Sequence, residues 1–381
     1  MLFKALGNTR VKVSAVGQGT IGAGSYEKAN PERIKTRIKV FERGIELGMT
    51  FMDTGEDYEN GLAEELLGKA IKGKRDKVFI SSKFKPVHNS FTGVQSSLEG
   101  SLKRLNTDYI DLYQIQWPNS SIPISETMLA LSALIEKGKI KFAGVCNFTL
   151  NQLKEAQAVF QHKIVSIQTE YNLQNRSIET ELLPYCQQNK ITVIAYNLFS
   201  QGSLNFSETE RRKLETLAAK YRSTVPQIII NWIISQPGVI ALTNTMNPDH
   251  LKENARAADF RMDDADLETI GKTFKRNPVM IPTSQIRVSE RDADATHIIY
   301  TSLEEAKSNA AGVQPSPAEL AEEIKKNGIL RPVELVRIKE KTGLYQYELI
   351  HGRNRYWAWI IAYGHDKPIP AYIINGKSHS I

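Results

Sequence analysis

Asp53, Tyr58, Lys83 and Gln116 are the side chains whose types and spacing could move a proton. Asp53 closes the second of a series of short β-branched runs and Tyr58 follows in its loop; Lys83 closes the third run and Gln116 the fourth. A Lys beside a Tyr favours the phenolate and lowers the phenol pKa. A carboxylate beside that Lys orients it. The product is a Tyr that donates or accepts a proton near neutral pH. Taken singly, Asp53 and Lys83 read as a structural ion pair and Tyr58 as a loop aromatic. Together, at successive strand ends, they read as a site. His88, His162, His297, His351, His365 and His379 do not pair at metal-ligand spacing, so no metal site is expected.

The elements that must hold these residues alternate through the first 260 positions. Eight strand-like runs, from Val13–Gly17 to Val239–Leu242, are each followed by a helical pattern, from Arg33–Leu47 through Glu208–Ser235 to Pro248–Arg256. Strands alternating with helices predict parallel βαβ units. Eight such units in about 260 residues fit an α/β fold closed as a (β/α)8 TIM barrel better than an open sheet. In such a barrel, polar residues at the C-terminal strand ends are the catalytic candidates. Phe3–Val13, with Gly7-Asn8 at its centre, reads as a hairpin plugging the barrel bottom.

The pattern changes near Arg276-Asn277-Pro278. Val279–Ile286 is strand-like, and Thr296–Pro317 is irregular or partly helical. Ser316-Pro317-Ala318-Glu319 opens a helix that runs to Lys326 and stops at Asn327-Gly328. Strands at Val333–Ile338 and Tyr345–Ile350, a helix over Arg353–Tyr363 and a strand at Ile369–Ile374 complete a smaller α+β domain. The predicted domains are therefore 1–275 and 276–381.

Composition narrows the classes. The 381 residues are 41% hydrophobic and 24% charged, an ordinary soluble balance. No apolar run reaches the roughly 18 residues of a membrane helix, and the start lacks a signal-peptide core. Two Cys exclude a disulfide scaffold and a Cys-rich metal centre, and point to a reducing, cytoplasmic compartment. The net charge of +7 divides as +5 over 1–275 and +2 over 276–381, too thin a spread to argue for nucleic acid.

The barrel half resembles the aldo-keto reductases. The resemblance rests on Phe51–Gly61 with Glu64 and Leu67-Gly68, on Ser82-Lys83, on Asp111–Pro118, on Gly144–Phe148 and on Gln168–Asn172, and it covers residues 1 to about 275. It implies that a nicotinamide cofactor delivers hydride to a small-molecule carbonyl, aldehyde, ketone or sugar-like. Tyr58 is then the general acid, tuned by Lys83 and Asp53. Gln116 stands where the family usually has His; it can donate a hydrogen bond but cannot carry charge or relay a proton. Relatives lacking that His work on other substrates, work slowly or act as redox sensors, so a cofactor-holding sensor is the alternative. The resemblance also implies that Cys146, Asn147 and Gln168 hold the carboxamide, with Cys146 replacing the usual Ser. Tyr196 stacks on the nicotinamide, and Asn197, Leu198, Ser200 and Gly202 meet the pyrophosphate. Glu253 and Asn254 meet the adenine, while Thr245 and the following helix N-terminus receive the 2′-phosphate. Asn244 and His250 occupy the places of the family's basic residues. NADP(H) is the expected cofactor and NAD(H) the alternative.

Pro317–Ala371 resembles the N-terminal domain of ParB partition proteins, a fold shared with sulfiredoxin. The motifs are Glu319–Ile324, Gly328–Val333 and Tyr347–Ala358. The resemblance implies that the Gly-led helix start receives nucleotide phosphates, which suits free backbone donors with Arg side chains. Gly352, Asn354 and Arg355 are the candidates, with Arg353 in support. ATP, ADP or CTP with Mg²⁺ is the implied ligand. Arg353 stands where sulfiredoxin needs Cys, which excludes that chemistry. No helix-turn-helix module follows, which argues against specific DNA binding. A small-molecule kinase is a further alternative. Glu290 and Asp292 would be its candidate bases, but both read more readily as solvated loop charge. Tyr356, Trp357, Trp359 and Tyr363 share one short helix and read as core rather than as a base-stacking platform. Oligomeric state is not readable from the chain.

Overall fold

The computed structural model describes residues 1–22, 30–200, 204, 206–275, 278–288, 300–313, 315–328, 332–338, 345–365 and 367–373. The chain divides into two compact units, one of Met1–Gly202 with Glu210–Phe274, the other of Ser203–Thr209 with Lys275–Ile381. No helix among the described residues is long and apolar enough to cross a membrane.

The first unit opens with a hairpin of β1 (Phe3–Ala5) and β2 (Lys12–Ser14). Eight parallel strands then close into a barrel: β3 (Val16–Gly19), β4 (Phe51–Asp53), β5 (Phe79–Phe84), β6 (Ile110–Ile115), β7 (Ile140–Cys146), β8 (Ile164–Glu170), β9 (Thr192–Tyr196) and β10 (Val239–Thr243). Strands β4, β6 and β8 are buried at every position, because helices cover one face and the barrel interior the other. Leu6 and Val13 of the hairpin pack with Phe51, Val165, Ile194 and Ile240 in the barrel core. The Gly7 amide donates to Thr192 Oγ1 at 2.7 Å, which fixes the hairpin at the N-terminal strand ends. The run Val13–Gly17 is thus shared between the hairpin and the barrel.

The intervening helices are α1 (Pro31–Glu46), α2 (Leu62–Ala70), α3 (Phe91–Leu105), α4 (Ile124–Glu136), α5 (Leu150–Val159), α6 (Leu182–Gln188), α7 (Glu208–Lys220), α8 (Val225–Ser235), α9 (Pro248–Arg256) and α10 (Asp264–Thr273). Their starts follow local chemistry. Asn30 accepts from the Glu32 and Arg33 amides ahead of α1, and Thr149 forms a capping box with Gln152 ahead of α5. Two expectations need correction. Glu208–Ser235 is two helices, because Arg222 turns left-handed at φ 49° and Thr224 opens a fresh capping box with Gln227. Helix α10 was not anticipated; Asp263 caps it, and its single buried residue, Ile270, leaves no apolar periodicity to read.

The second unit is a five-stranded sheet in the order β11 (Val279–Ile281), β15 (Ile369–Ile373), β13 (Val333–Arg337), β14 (Tyr347–His351), β12 (Ile286–Arg287). Its helices are α11 (Leu303–Ser308), α12 (Pro317–Asn327) and α13 (Arg353–Tyr363). The expected strand Val279–Ile286 is broken, since Pro282 has no amide to donate and a 3-10 turn, Thr283–Gln285, follows it. Ser316 and Glu319 form the predicted capping box of α12. Tyr356, Trp357 and Trp359 are buried in the core with Ile281, Leu335 and Ile369. The Trp357 indole donates to Tyr300 O at 2.9 Å and that of Trp359 to Lys367 O at 3.1 Å, so both polar tips are satisfied.

Candidate active site

Asp53 ends β4 and Lys83 lies near the end of β5, on paired neighbouring strands. Lys83 Nζ donates to Asp53 Oδ1 at 2.8 Å, to Asp53 Oδ2 at 2.7 Å and to Thr54 O at 2.7 Å. Both residues are only 2% exposed. A buried pair of this kind holds only when its remaining hydrogen-bond capacity is filled. Ser81 Oγ fills part of it by donating to Asp53 Oδ1 at 3.0 Å, and Gln168 Nε2 donates to Oδ2 at 3.3 Å. Burial works against the Lys83 ammonium, yet the Asp53 charge, with Tyr58 and Cys146 adding to it, holds its pKa above the usual Lys value.

Tyr58 stands in the loop after Asp53, with Lys83 Nζ 4.9 Å from its ring centroid. Glu59 and Asn60 follow at φ 50° and 56°, a costly left-handed pair for side-chain-bearing residues. Glu59 Oε1 accepts from the Gly22 amide at 2.7 Å and pins that turn. Burial pushes the Tyr58 phenol up to about 12; Lys83 pulls it down and Asp53 pushes it up. The lowering toward neutrality expected from Lys83 is therefore outweighed by desolvation. At pH 7 the phenol carries its proton, the form a general acid needs.

Gln116 is the first residue past β6, and its amide N–H donates to Phe84 O at 3.3 Å. Its side-chain Oε1 is buried with no hydrogen-bond partner among the described residues. Gln116 O accepts from Asn147 Nδ2 at 3.2 Å, and Asn147 Oδ1 accepts from the Tyr196 hydroxyl at 2.8 Å. Gln168 Oε1 accepts from Gln114 Nε2 at 2.9 Å and from Cys146 Sγ at 3.8 Å. Burial pushes the Cys146 thiol pKa well up, so Cys146 is a neutral donor. Hydrogen bonds thus join Asp53, Lys83, Gln116, Cys146, Asn147, Gln168 and Tyr196 into two adjoining sets at the C-terminal strand ends. Ser81 and Gln114 belong with them and were not singled out from sequence. The only signal available was a polar residue on a strand buried at both faces.

The outer cofactor candidates are more dispersed. Asn197 and Ser200 take φ 56° and 46°, Asn197 Nδ2 donates to Glu170 Oε1 at 3.0 Å, and Leu198 is buried. Gly202 lies outside the described residues. Thr245 Oγ1 accepts from the Asn247 amide at 3.0 Å just before α9, and His250 is exposed. Asn254 is buried, while Glu253 Oε1 accepts from Thr224 Oγ1 and so ties α9 to the start of α8.

In the second unit Gly352, at φ 99°, caps α13, and a Cβ there would lie 2.8 Å from Arg355 Nη2. Arg353 is 4% exposed. Asn354 Nδ2 donates to Pro315 O at 3.1 Å, and Arg355 Nη1 donates to Pro332 O at 3.2 Å. Asn354 and Arg355 thus brace neighbouring loops, a use the sequence did not reveal. Glu290 and Asp292 lie outside the described residues.

Comparison with known proteins bears on the barrel. Residues 15–274 match the Aldo/keto reductase family. A methylglyoxal reductase of Escherichia coli, YeaE, is 35% identical over 266 residues, which are 69% of this chain and 92% of that protein. The crystal structure of a thermostable aldo-keto reductase bound to the inhibitor epalrestat is 37% identical with a TM-score of 0.69, covering 72% of this chain and all of that one. An aldo/keto reductase of Klebsiella pneumoniae, crystallised with NADP and acetate, is 32% identical with a TM-score of 0.64, covering 69% of this chain and 92% of that one. A closed eight-stranded barrel, a family match across it and named reductases over most of their own length leave one assignment: the chain belongs to the aldo/keto reductase family of NAD(P)H-dependent oxidoreductases.

Proposed function

We propose that this chain is a cytoplasmic reductase of small carbonyl compounds that uses NADP(H). The observation that carries the reading is the Lys83–Asp53 pair, at 2.7–2.8 Å, beside a protonated Tyr58. The residues also fit the cofactor: Cys146, Asn147 and Gln168 offer amide and thiol groups for a carboxamide. Tyr196 offers a half-buried ring beside them. When bound, the reduced nicotinamide supplies a hydride to the carbonyl carbon. Tyr58 then gives its phenolic proton to the carbonyl oxygen, and the phenolate left behind faces the Lys83 ammonium. Asp53 holds that ammonium in place. The Gln116 amide donates to the same carbonyl oxygen and orients it.

The test is NADPH oxidation at 340 nm against aldehydes, ketones and sugars, beginning with methylglyoxal because the Escherichia coli relative is named for it. Tyr58→Phe should lower kcat by about 10²–10⁴ with NADPH binding retained. Unchanged turnover in that variant would sink the mechanism.

For residues 276–381 we propose a ParB/sulfiredoxin-like domain that binds a nucleotide at the start of α13. What supports it is the order helix, strand, strand, helix, strand from α12 to β15, with Gly352 left-handed at the helix start and two arginines just after it. Titration calorimetry with ATP, ADP and CTP, each with Mg²⁺, should give heat for at least one. Silence with all three removes the nucleotide site.

A further inference from the structure

Arg37 sits in the middle of α1 and is among the most deeply buried charged side chains of the chain, 1% exposed. Its Phe41 neighbour, one turn on, lies under the guanidinium at 4.8 Å to the ring centroid. Three contacts of the fork reach one loop: Nη1 donates to Thr245 O at 2.8 Å and lies 3.2 Å from Met246 Sδ, and Nη2 donates to Asn244 Oδ1 at 2.6 Å. Asn244 in turn donates through Nδ2 to Ile21 O, beyond β3. The three residues past β10 are thus fastened from beneath to α1 and from the side to the end of β3.

Burying a guanidinium is expensive unless its donors are met by well-placed acceptors. Here those acceptors include a main-chain carbonyl and a side-chain amide of consecutive loop residues. A planar guanidinium fixes the spacing of two such acceptors in one rigid fork, whereas a Lys ammonium is a compact charge on a flexible stem that does not. With the Thr245 carbonyl drawn inward, the loop's outer surface is left to the Thr245 side chain and the amides that lead into α9. This is the loop assigned above to the 2′-phosphate of the cofactor, and it carries Asn244 and an exposed His250 where basic residues were expected. We propose that Arg37 is a positioning residue for the adenosine end of NADP(H). It acts through Asn244 and Thr245, so that discrimination between NADPH and NADH depends on a buried arginine in the first helix. The inference rests on the cofactor reading above and goes beyond it in naming what sets the preference.

The experiment is titration calorimetry of the full chain with NADPH and with NADH, for wild type, Arg37→Met, Arg37→Lys and Asn244→Ala, with thermal melts to confirm folding. Loss of hydrogen bonds to a charged group should raise the NADPH Kd about tenfold or more in Arg37→Met. Arg37→Lys should fall between, the NADH Kd should move less than threefold, and kcat at saturating NADPH should hold. Asn244→Ala removes the same tether from the solvent side and is read in place of Arg37→Met if that variant does not fold. An NADPH Kd within threefold of wild type in the folded variants overturns the proposal. So does an equal loss for NADPH and NADH, which would make Arg37 merely structural. A wild-type chain that binds neither cofactor overturns the cofactor reading and this role with it.

Discussion

Gln116 is one residue at which the site departs from a fully satisfied interior. A buried acceptor with no partner costs about 1–3 kcal/mol, and Gln116 Oε1 is one. An unmet acceptor at a strand end is expected where a ligand, rather than folding, supplies a donor, while the amide nitrogen beside it is the group that meets the carbonyl oxygen. Gln116→Met keeps the length and removes the amide. It should leave the melting temperature unchanged or raise it, while kcat for carbonyl reduction falls roughly 10–100-fold with the NADPH Kd intact. Gln116→His should add a limb near the usual His pKa of about 6.5 to the pH profile, absent in wild type. A Gln116→Met enzyme as fast as wild type would show that the amide does nothing in catalysis. The same scale shows what a sequence can carry. Asp53, Tyr58 and Lys83 were legible because type and strand-end position coincide. Ser81 and Gln114 were not, because a polar residue inside a buried strand has no local mark that tells a hydrogen-bonded support from an ordinary position. The protonation state of Tyr58 was also hidden, since it depends on how much water the folded loop excludes, and desolvation outweighs the Lys83 charge.

Among elements, the barrel was readable for a physical reason. Parallel strands covered on both faces become short, largely apolar runs, as at Val239–Thr243, and most are followed by an amphipathic helix. Caps with side-chain oxygens sharpen the starts, at Asn30, Thr149 and Ser316 alike. Where those signals fail, so did the reading. Helix α10 buries only Ile270, and Leu267 beside it is too little apolar surface to set a stripe. The interruption between α7 and α8 was missed although it carries a mark, the Thr224–Gln227 capping box with Pro226 in the first turn; the left-handed Arg222 just before it carries none. The turn after Tyr58 is the functional counterpart. Glu59 and Asn60 hold left-handed angles, and a side chain from one of them reaches back to the Gly22 amide. Arg37 belongs to this scale as well. In sequence it is one more basic residue in an amphipathic helix. Only the path of the chain past β10 turns it inward onto Thr245 and Asn244.

At the scale of the whole molecule, each unit has its own apolar interior. The first is built around the barrel residues Leu6, Phe51, Val165, Ile194 and Ile240, and the second around Leu335, Trp357, Ala358 and Ile369. A unit with a complete core melts by itself unless the surroundings couple it. Differential scanning calorimetry should therefore resolve two transitions. A ligand that binds only the folded form stabilises its own unit by RT ln(1 + [L]/Kd), about 2.7 kcal/mol at a hundredfold excess over Kd. For a unit of the barrel's size that corresponds to a rise of roughly 5 °C or more. NADPH should move one transition by that amount and leave the other where it was, because every residue assigned to the cofactor lies in the first unit. Tyr58→Phe should show the same shift, since that change removes a proton donor and not a binding group. A single transition that moves as one body with NADPH would overturn the independence of the units. The barrel's chemistry and the second unit's ligand would then have to be treated as one thermodynamic system, in which a nucleotide bound near Gly352 alters the affinity for NADPH by the same factor that NADPH alters the affinity for the nucleotide.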